Sequence, residues 1–165
     1  MSVQTTLCYI DNGDAYLMLH RVKKENDVNE GKWIGIGGKF EPDESPVECM
    51  MREVNEETGL EPREWQYRGI VTFVSARWVT EYMHLFTITG WSGTVRSCNE
   101  GILEWVPKDE LLDLPHWKGD EIFLNLISAP ETPFFSLKLV YDEDDTLVDA
   151  RLDGSPVDLK DWNWA

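Results

Sequence analysis

No stretch of the 165 residues approaches the roughly 20 consecutive apolar positions that a membrane-crossing helix needs. The N-terminal MSVQTTLCYI has no basic stretch ahead of its apolar residues. It therefore reads as a first strand and not as a signal peptide, and the expected location is cytoplasmic. Cysteine is scarce. Cys8, Cys49 and Cys98 are three, odd in number and scattered, which argues against both a disulfide framework and a zinc site. The histidines, His20, His84 and His116, are equally dispersed. Positive charge is short as well: 15 bases stand against 31 acids, a formal net charge of −16. Long DNA or RNA needs cationic contacts with its phosphates and is excluded as a partner, whereas a small nucleotide arriving as a metal complex is not. The sequence shows neither repeats nor low-complexity segments, and its 42% apolar content suits a globular chain with a proper core.

What the sequence does have is acid concentrated in one place. From Gly38 to Leu60, GKFEPDESPVECMMREVNEETGL, there are seven acids and two bases. A glycine-rich turn (Gly35, Gly37, Gly38) leads into an acidic loop at Glu41, Asp43 and Glu44, and then into a helix with explicit end signals. Ser45 is placed as N-cap, Pro46 at the first helical position, Glu48 three after the cap, and Gly59 as a left-handed stop. Glu53, Glu56 and Glu57 stand at i, i+3 and i+4 and project from one side. Val47, Met50, Met51 and Val54 supply the apolar side, and Arg52, four before Glu56, can brace the cluster. Two readings stand: a solvated acidic face, or a cation site. Three clustered carboxylates repel one another or take up protons unless a divalent ion relieves them, and their hard oxygens suit Mg²⁺, with Mn²⁺ as an alternative.

The stretch resembles the Nudix box: Gly, five residues, Glu, seven residues, then Arg-Glu-aliphatic-any-Glu-Glu-any-Gly-aliphatic. Gly38, Glu44, Arg52, Glu53, Val54, Glu56, Glu57, Gly59 and Leu60 meet it at every position. The resemblance implies an α/β (α+β) Nudix fold, a mixed β-sheet sandwiched between α-helices. It is expected as a single domain over 1–165, with the box at 38–60 and a C-terminal hairpin at about 133–153. It also implies a hydrolase that cuts a diphosphate linked to a nucleoside. Glu56 and Glu57 are then metal ligands, Glu53 is a ligand or the general base, and a backbone carbonyl near Gly37 joins the metal shell. Glu44 orders the loop or reaches a metal through water. Glu100, in the loop after the long strands, is a ligand or the competing base. Read without the family, it is a loop acid.

The rest of the chain reads in order. Residues 3–10 and 15–22 form a hairpin around DNGD. Arg21, Lys23 and Lys24 follow, as solubilising charge or, by family resemblance at Arg21, as a phosphate contact. Residues 25–31 read as an exposed polar loop. In GKWIGIGGKF the glycines suit close backbone approach more than a regular strand interior. Lys39 is either a surface lysine or, by resemblance, a phosphate contact. GIVTFVSARWVT and EYMHLFTITGW read as two long strands with a turn at 90–93, and LEWVP as a short one. Pro107 starts a short helix, KDELLDL, a second helix covers about 120–127, and FFSLKLVYDEDDTLVDARLDG is a hairpin with its turn at 142–145. The terminal LKDWNWA has no assignment.

From about Thr6 to about Arg151 the chain is similar to MutT-type 8-oxo-dGTP diphosphatases, especially the bacterial MutX-like form. The matching segments are WIGIGGKF, CNEGILEWVPKDEL, LPHWKGDEIF and FFSLKLVYD. It also resembles the vertebrate oxidised-purine triphosphatase, in which a tryptophan and two consecutive acids hold the purine. Trp117 and Asp120 match, Gly119 replaces the first acid, and Ile34 stands where that enzyme has an asparagine. Read alone, Trp117 is core packing or a stacking face, and Asp120 an N-cap or a base-edge contact. Trp33 and Trp78 are further stacking candidates. The resemblance implies attack by water at the β-phosphorus of 8-oxo-dGTP or a related oxidised purine triphosphate, yielding monophosphate and pyrophosphate. The partner is a small nucleotide, with no polymeric nucleic acid and no membrane, and the protein is a monomer or homodimer. Alternatives are another nucleoside diphosphate derivative (an ordinary NTP, a dinucleoside polyphosphate, ADP-ribose) or a non-catalytic nucleotide sensor. The absence of proline between Pro62 and Pro107 counts against ADP-ribose, and the intact box against the sensor.

Overall fold

The computed structural model describes residues 1–22, 26–97, 99 and 101–160. β1 (Ser2–Asp11) and β2 (Ala15–His20) form the expected hairpin. The Asn12 carboxamide oxygen accepts from the Asp14 and Ala15 amides at 3.0 and 2.8 Å, and Gly13 takes φ 103°. A two-residue strand β3 (Trp33–Ile34) follows, then α1 (Pro46–Thr58), β4 (Glu61–Ser75) and β5 (Thr80–Ser92). β6 (Ile102–Pro107), α2 (Asp120–Ile127), β7 (Phe135–Tyr141), β8 (Leu147–Leu152) and β9 (Ser155–Pro156) complete the described chain. The strands make one mixed sheet in the order β3-β2-β1-β5-β4-β7-β8-β9, with β6 paired to β2. The β1–β5 and β4–β7 pairs are parallel and the others antiparallel.

Both sheet faces are apolar, which is why β2 reads AYLMLH with hardly a polar residue. Tyr16 and Met18 face one core with Tyr9, Phe73, Leu85 and the α2 residues Ile122 and Phe123. Leu17 and Leu19 face the other, with Cys8, Ile10, Phe86 and the α1 residues Met50 and Val54. The mixed sheet thus lies between α1 and α2, as expected for the α/β (α+β) class.

Several boundaries differ from the sequence reading. The long strands are 61–75 and 80–92, so the chain turns at 76–79, inside the stretch expected as strand, and β5 runs through Gly90 to Ser92. The expected helix after Pro107 is a turn followed by a single 3-10 turn, Leu111–Asp113. Pro107 itself is held in the sheet opposite Ala15.

Among the described residues no helix is long and apolar enough to cross a membrane.

Candidate active site

The end signals of α1 form as the sequence specifies. The Ser45 hydroxyl accepts from the Glu48 amide at 3.1 Å, the Glu48 carboxylate accepts from the Ser45 amide at 2.9 Å, and Gly59 closes the helix at φ 81°. The segment before the helix is pinned against β1. Thr6 donates to the Gly38 carbonyl at 2.9 Å and Cys8 to that of Ile36 at 2.6 Å. No side chain fits there, because a Cβ on Gly37 would lie 1.9 Å from the Thr6 carbonyl oxygen. A Cβ on Gly38 would meet the Glu53 carboxylate at 2.6 Å. Glycine thus lets main chain and carboxylate share one corner.

Arg52 organises that corner. Its Nε and Nη2 donate to the two Glu44 oxygens at 2.7 and 2.9 Å, a bidentate pair. Its Nη1 donates to Glu53 Oε1 at 2.8 Å and Glu56 Oε2 at 3.1 Å, and Nη2 also reaches the Lys39 carbonyl at 3.0 Å. The Arg52 hydrogen bonds pull the Glu44 carboxyl down to about 2, and those with Glu44 push the guanidinium's own pKa further up. Glu44 also accepts from the Glu41 amide at 2.7 Å, so it orders the loop. Glu57 is buried and accepts from the Gly37 amide at 3.0 Å. Among the described residues the three box glutamates do not converge on one point, since Glu53 and Glu56 lean on Arg52 and Glu57 on Gly37. The donor set of carboxylate oxygens beside closely approaching main chain fits a hard divalent cation. The residues that would offer it ligands are Glu53, Glu56, Glu57 and the Gly37 carbonyl.

A cleft of about 610 Å³ opens in front of this corner, with Lys39, Arg52, Glu53, Trp78 and Glu81 on its walls. Arg21 lines it too, but its side chain is largely buried and its Nε pairs with Asp27 at 2.6 Å. Lys39 is exposed. The cleft adjoins a smaller, mainly apolar cavity of about 50 Å³, lined among others by Tyr9, Ile34, Phe73, Met83, Trp117 and Asp120. Trp117 is buried, and its indole N–H donates to the Asn29 side-chain oxygen at 2.9 Å. The Lys32 ammonium stands 4.4 Å from its ring centre, and Phe73 and Tyr141 meet the ring edge-on. Asp120 is not the cap of α2. The cap position is Gly119 and makes no side-chain bond, while Asp120 is the first helical residue, buried at the cavity wall. Burial pushes its carboxyl up to about 7, against the lowering effect of His116 and Lys32. Trp33 stacks on His20 at 4.4 Å, away from this cavity's lining.

The structure brings Ile34, Trp117 and Asp120 together at one end of a continuous depression, and Lys39, Arg52 and Glu53 at the other. Glu100, Lys23, Lys24, Cys98 and the terminal residues 161–165 lie outside the described residues. Asn29, Lys32 and Glu81 escaped the sequence reading. Asn29 belongs to the 25–31 loop read as exposed, yet Asp27, Val28 and Asn29 are half-buried and line the cleft. Nothing local marks Asn29, because its partner Trp117 is distant in sequence. Glu81 does carry a signal: it is the acid at the start of the otherwise mostly apolar strand β5.

A family model described as NUDIX domain matches residues 1–127. The chain belongs to the Nudix family. A Bacillus subtilis protein described as the uncharacterized Nudix hydrolase YvcI is 31% identical over 130 residues, covering 75% of this chain and 78% of that one. The CTP pyrophosphohydrolase of Escherichia coli K12 is 30% identical over 132 residues, 77% of this chain and 95% of that one. Among solved structures, the MutT protein from Bacillus halodurans superposes with a TM-score of 0.80 at 29% identity, covering 93% of this chain and 99% of the other. The chain is thus a MutT-like member of the Nudix family, and the Arg52-centred corner lies within the segment that the family model matches.

Proposed function

We propose that the protein is a Mg²⁺-dependent pyrophosphohydrolase of nucleoside triphosphates. In this reading its substrate is 8-oxo-dGTP or a related oxidised purine nucleotide, cut to the monophosphate and pyrophosphate. The observation that carries the proposal is the continuity of the depression. A carboxylate corner suited to a cation and a diphosphate opens directly into an apolar cavity with an aromatic ring and a carboxyl on its wall, the arrangement a base joined to phosphates requires.

Glu56, Glu57, Glu53 and the Gly37 carbonyl would hold the cation, with Glu100 completing the set. The ion supplies charge neutralisation on the diphosphate and acidifies water. Arg52 holds the Glu44 loop and the Glu53 and Glu56 carboxylates in register, so that they meet the substrate with little reorganisation. Glu53 or Glu100 accepts the proton of the attacking water. Lys39, with Arg21, faces the phosphates. Trp117 borders the base, and Asp120 donates a hydrogen bond to its edge when protonated and accepts one when ionised. Similarity to a CTP pyrophosphohydrolase supports a second reading, in which an ordinary pyrimidine triphosphate occupies the same cavity.

Pyrophosphate release with and without Mg²⁺, over 8-oxo-dGTP, dGTP and CTP, tests the reading. Turnover is expected only with the metal, with the highest kcat/KM on the oxidised purine. Glu56→Gln and Glu57→Gln are each expected to lower kcat by about a hundredfold or more while remaining folded. Full activity in both variants overturns the site assignment, and a higher kcat/KM on CTP overturns the substrate.

A further inference from the structure

Among the described residues, six line both the apolar cavity and the larger cleft: Leu7, Val28, Asn29, Ile34, Glu81 and Met83. They form the boundary between the two. Four are apolar. Of the two polar ones, Asn29 already uses its carboxamide oxygen to accept from the Trp117 indole. Glu81 is the ionisable one. It is half-buried on β5, opposite Val3 on β1 and Phe73 on β4. Its Oε2 accepts from the Thr5 hydroxyl at 3.3 Å. A carboxylate has about four acceptor positions, so one hydroxyl leaves it with capacity for more.

Burial raises the Glu81 carboxyl, while the Thr5 hydrogen bond and the charge of Lys39 oppose that rise. A carboxyl kept from full hydration at a cleft wall gains from a hydroxyl donor that replaces lost water. If the base occupies the cavity and the phosphates occupy the cleft, the part of a nucleotide that crosses the boundary is its sugar. That premise rests on the function proposed above.

We propose that Glu81 is a specificity-determining residue that reads the sugar of the nucleotide, its carboxylate accepting hydrogen bonds from whichever of the 2′- and 3′-hydroxyls the sugar carries, the 3′-hydroxyl alone in a deoxynucleotide. Carboxylates serve ribose hydroxyls elsewhere for the same reason: the hydroxyls are donors at a fixed spacing, and a charged acceptor strengthens each bond. The residue thus separates substrates by their sugar, a property distinct from the base preference set around Trp117 and Asp120.

The test uses one base in three sugar forms (ribo, 2′-deoxy and 2′,3′-dideoxy triphosphate), assayed as kcat/KM with Mg²⁺ on the wild-type protein, Glu81→Gln and Glu81→Ala. Thermal melting shows whether each variant is folded. The wild-type protein is expected to favour the hydroxylated forms over the dideoxy form by about ten- to a hundredfold, the worth of hydrogen bonds to a charged group. In Glu81→Gln the ratio is expected to shrink to about threefold, through KM more than kcat, and in Glu81→Ala to vanish. An equal loss on all three sugars, or a kcat loss with the ratio kept, assigns Glu81 to the phosphate chemistry or to structure and overturns the proposal. An unchanged ratio in both folded variants overturns it as well. Failure of the underlying function looks different: the wild-type protein then turns over none of the three forms, and both readings fall together.

Discussion

A carboxyl with a pKa near 7 is half protonated at neutral pH, and Asp120 is held there because burial at the cavity wall opposes its charge. His116 and Lys32 pull in the other direction, and Glu121 adds to the rise. The folded pKa, about 7, exceeds the ordinary value of 3.8. The native state therefore keeps a proton that the unfolded chain has released. Below about pH 4 both states are protonated and the residue has no effect. Between about 4 and 7 its contribution falls progressively, and above 7 the full penalty, a few kcal/mol, is in place. Asp120→Asn carries no such charge. Urea unfolding from pH 5 to 8 is expected to show wild-type stability falling relative to the variant by a few kcal/mol, and parallel pH profiles would refute the assignment. The sequence left Asp120 between helix cap and base contact because an acid just before an apolar run satisfies both descriptions. What separates them is that Gly119, at φ −66° and ψ −20°, takes the cap position and puts Asp120 inside the helix. Arg52 was legible where Asp120 was not, since its partners Glu53 and Glu56 lie within one helical turn.

Neither helix has a basic residue in its last turn, yet each ends on an arginine brought from elsewhere. Arg96, past the end of β5, donates from Nη2 to the Asn55 and Glu56 carbonyls of α1 at 2.7 and 3.1 Å. Arg68 of β4 reaches the end of α2, bonding the Ile127 and Ala129 carbonyls at 3.3 and 2.7 Å. Cations there complement the negative helix end, satisfy the Ile127 carbonyl, and add a second donor at Asn55 and Ala129, whose carbonyls also accept from the Gly59 and Thr132 amides. Their surroundings differ: Arg68 is buried and Arg96 exposed. Arg68→Met strands buried acceptors and is expected to cost about 2–4 kcal/mol, whereas Arg96→Ala is expected to cost about 1 kcal/mol because water replaces it. Equal losses in chemical denaturation would contradict this account. Such contacts span 40 to 61 residues of sequence and leave no local trace. α1 was readable because its capping signals are local and act on one another. The start of β4 was not, because Pro62 and the polar EPREWQYR mask it and its pairing with β5 is interrupted by register shifts. The expected helix after Pro107 failed for a related reason. The β2–β6 register carries Pro107 into the sheet, leaving too few residues before Leu111 for more than a turn.

At the scale of the molecule, a net charge of −16 works against compactness, and much of the acid is gathered between Gly38 and Leu60. The two-sided core can carry that repulsion because β2 and the central strands bury apolar side chains on both faces. Arg52 relieves only part of the box, where it is one of two bases among seven acids. A cation that binds the native corner and not the unfolded chain must therefore stabilise the whole fold by mass action. At ten times its dissociation constant the gain is about 1.4 kcal/mol, or about 3–6 °C in Tm for a domain of this size. Screening by any salt also eases the repulsion, so the comparison is made at constant ionic strength, with NaCl replacing MgCl₂. Under those conditions Mg²⁺ is expected to raise Tm by several degrees in the wild-type protein, with a saturating dependence on concentration, and EDTA to reverse it. Glu56→Gln and Glu57→Gln are expected to flatten the curve. A Mg²⁺ shift no larger than that of NaCl, or one retained in full by both variants, would mean that the acidic corner binds no specific cation. The same titration is independent of turnover, so it separates loss of metal binding from loss of chemistry in any variant of the box.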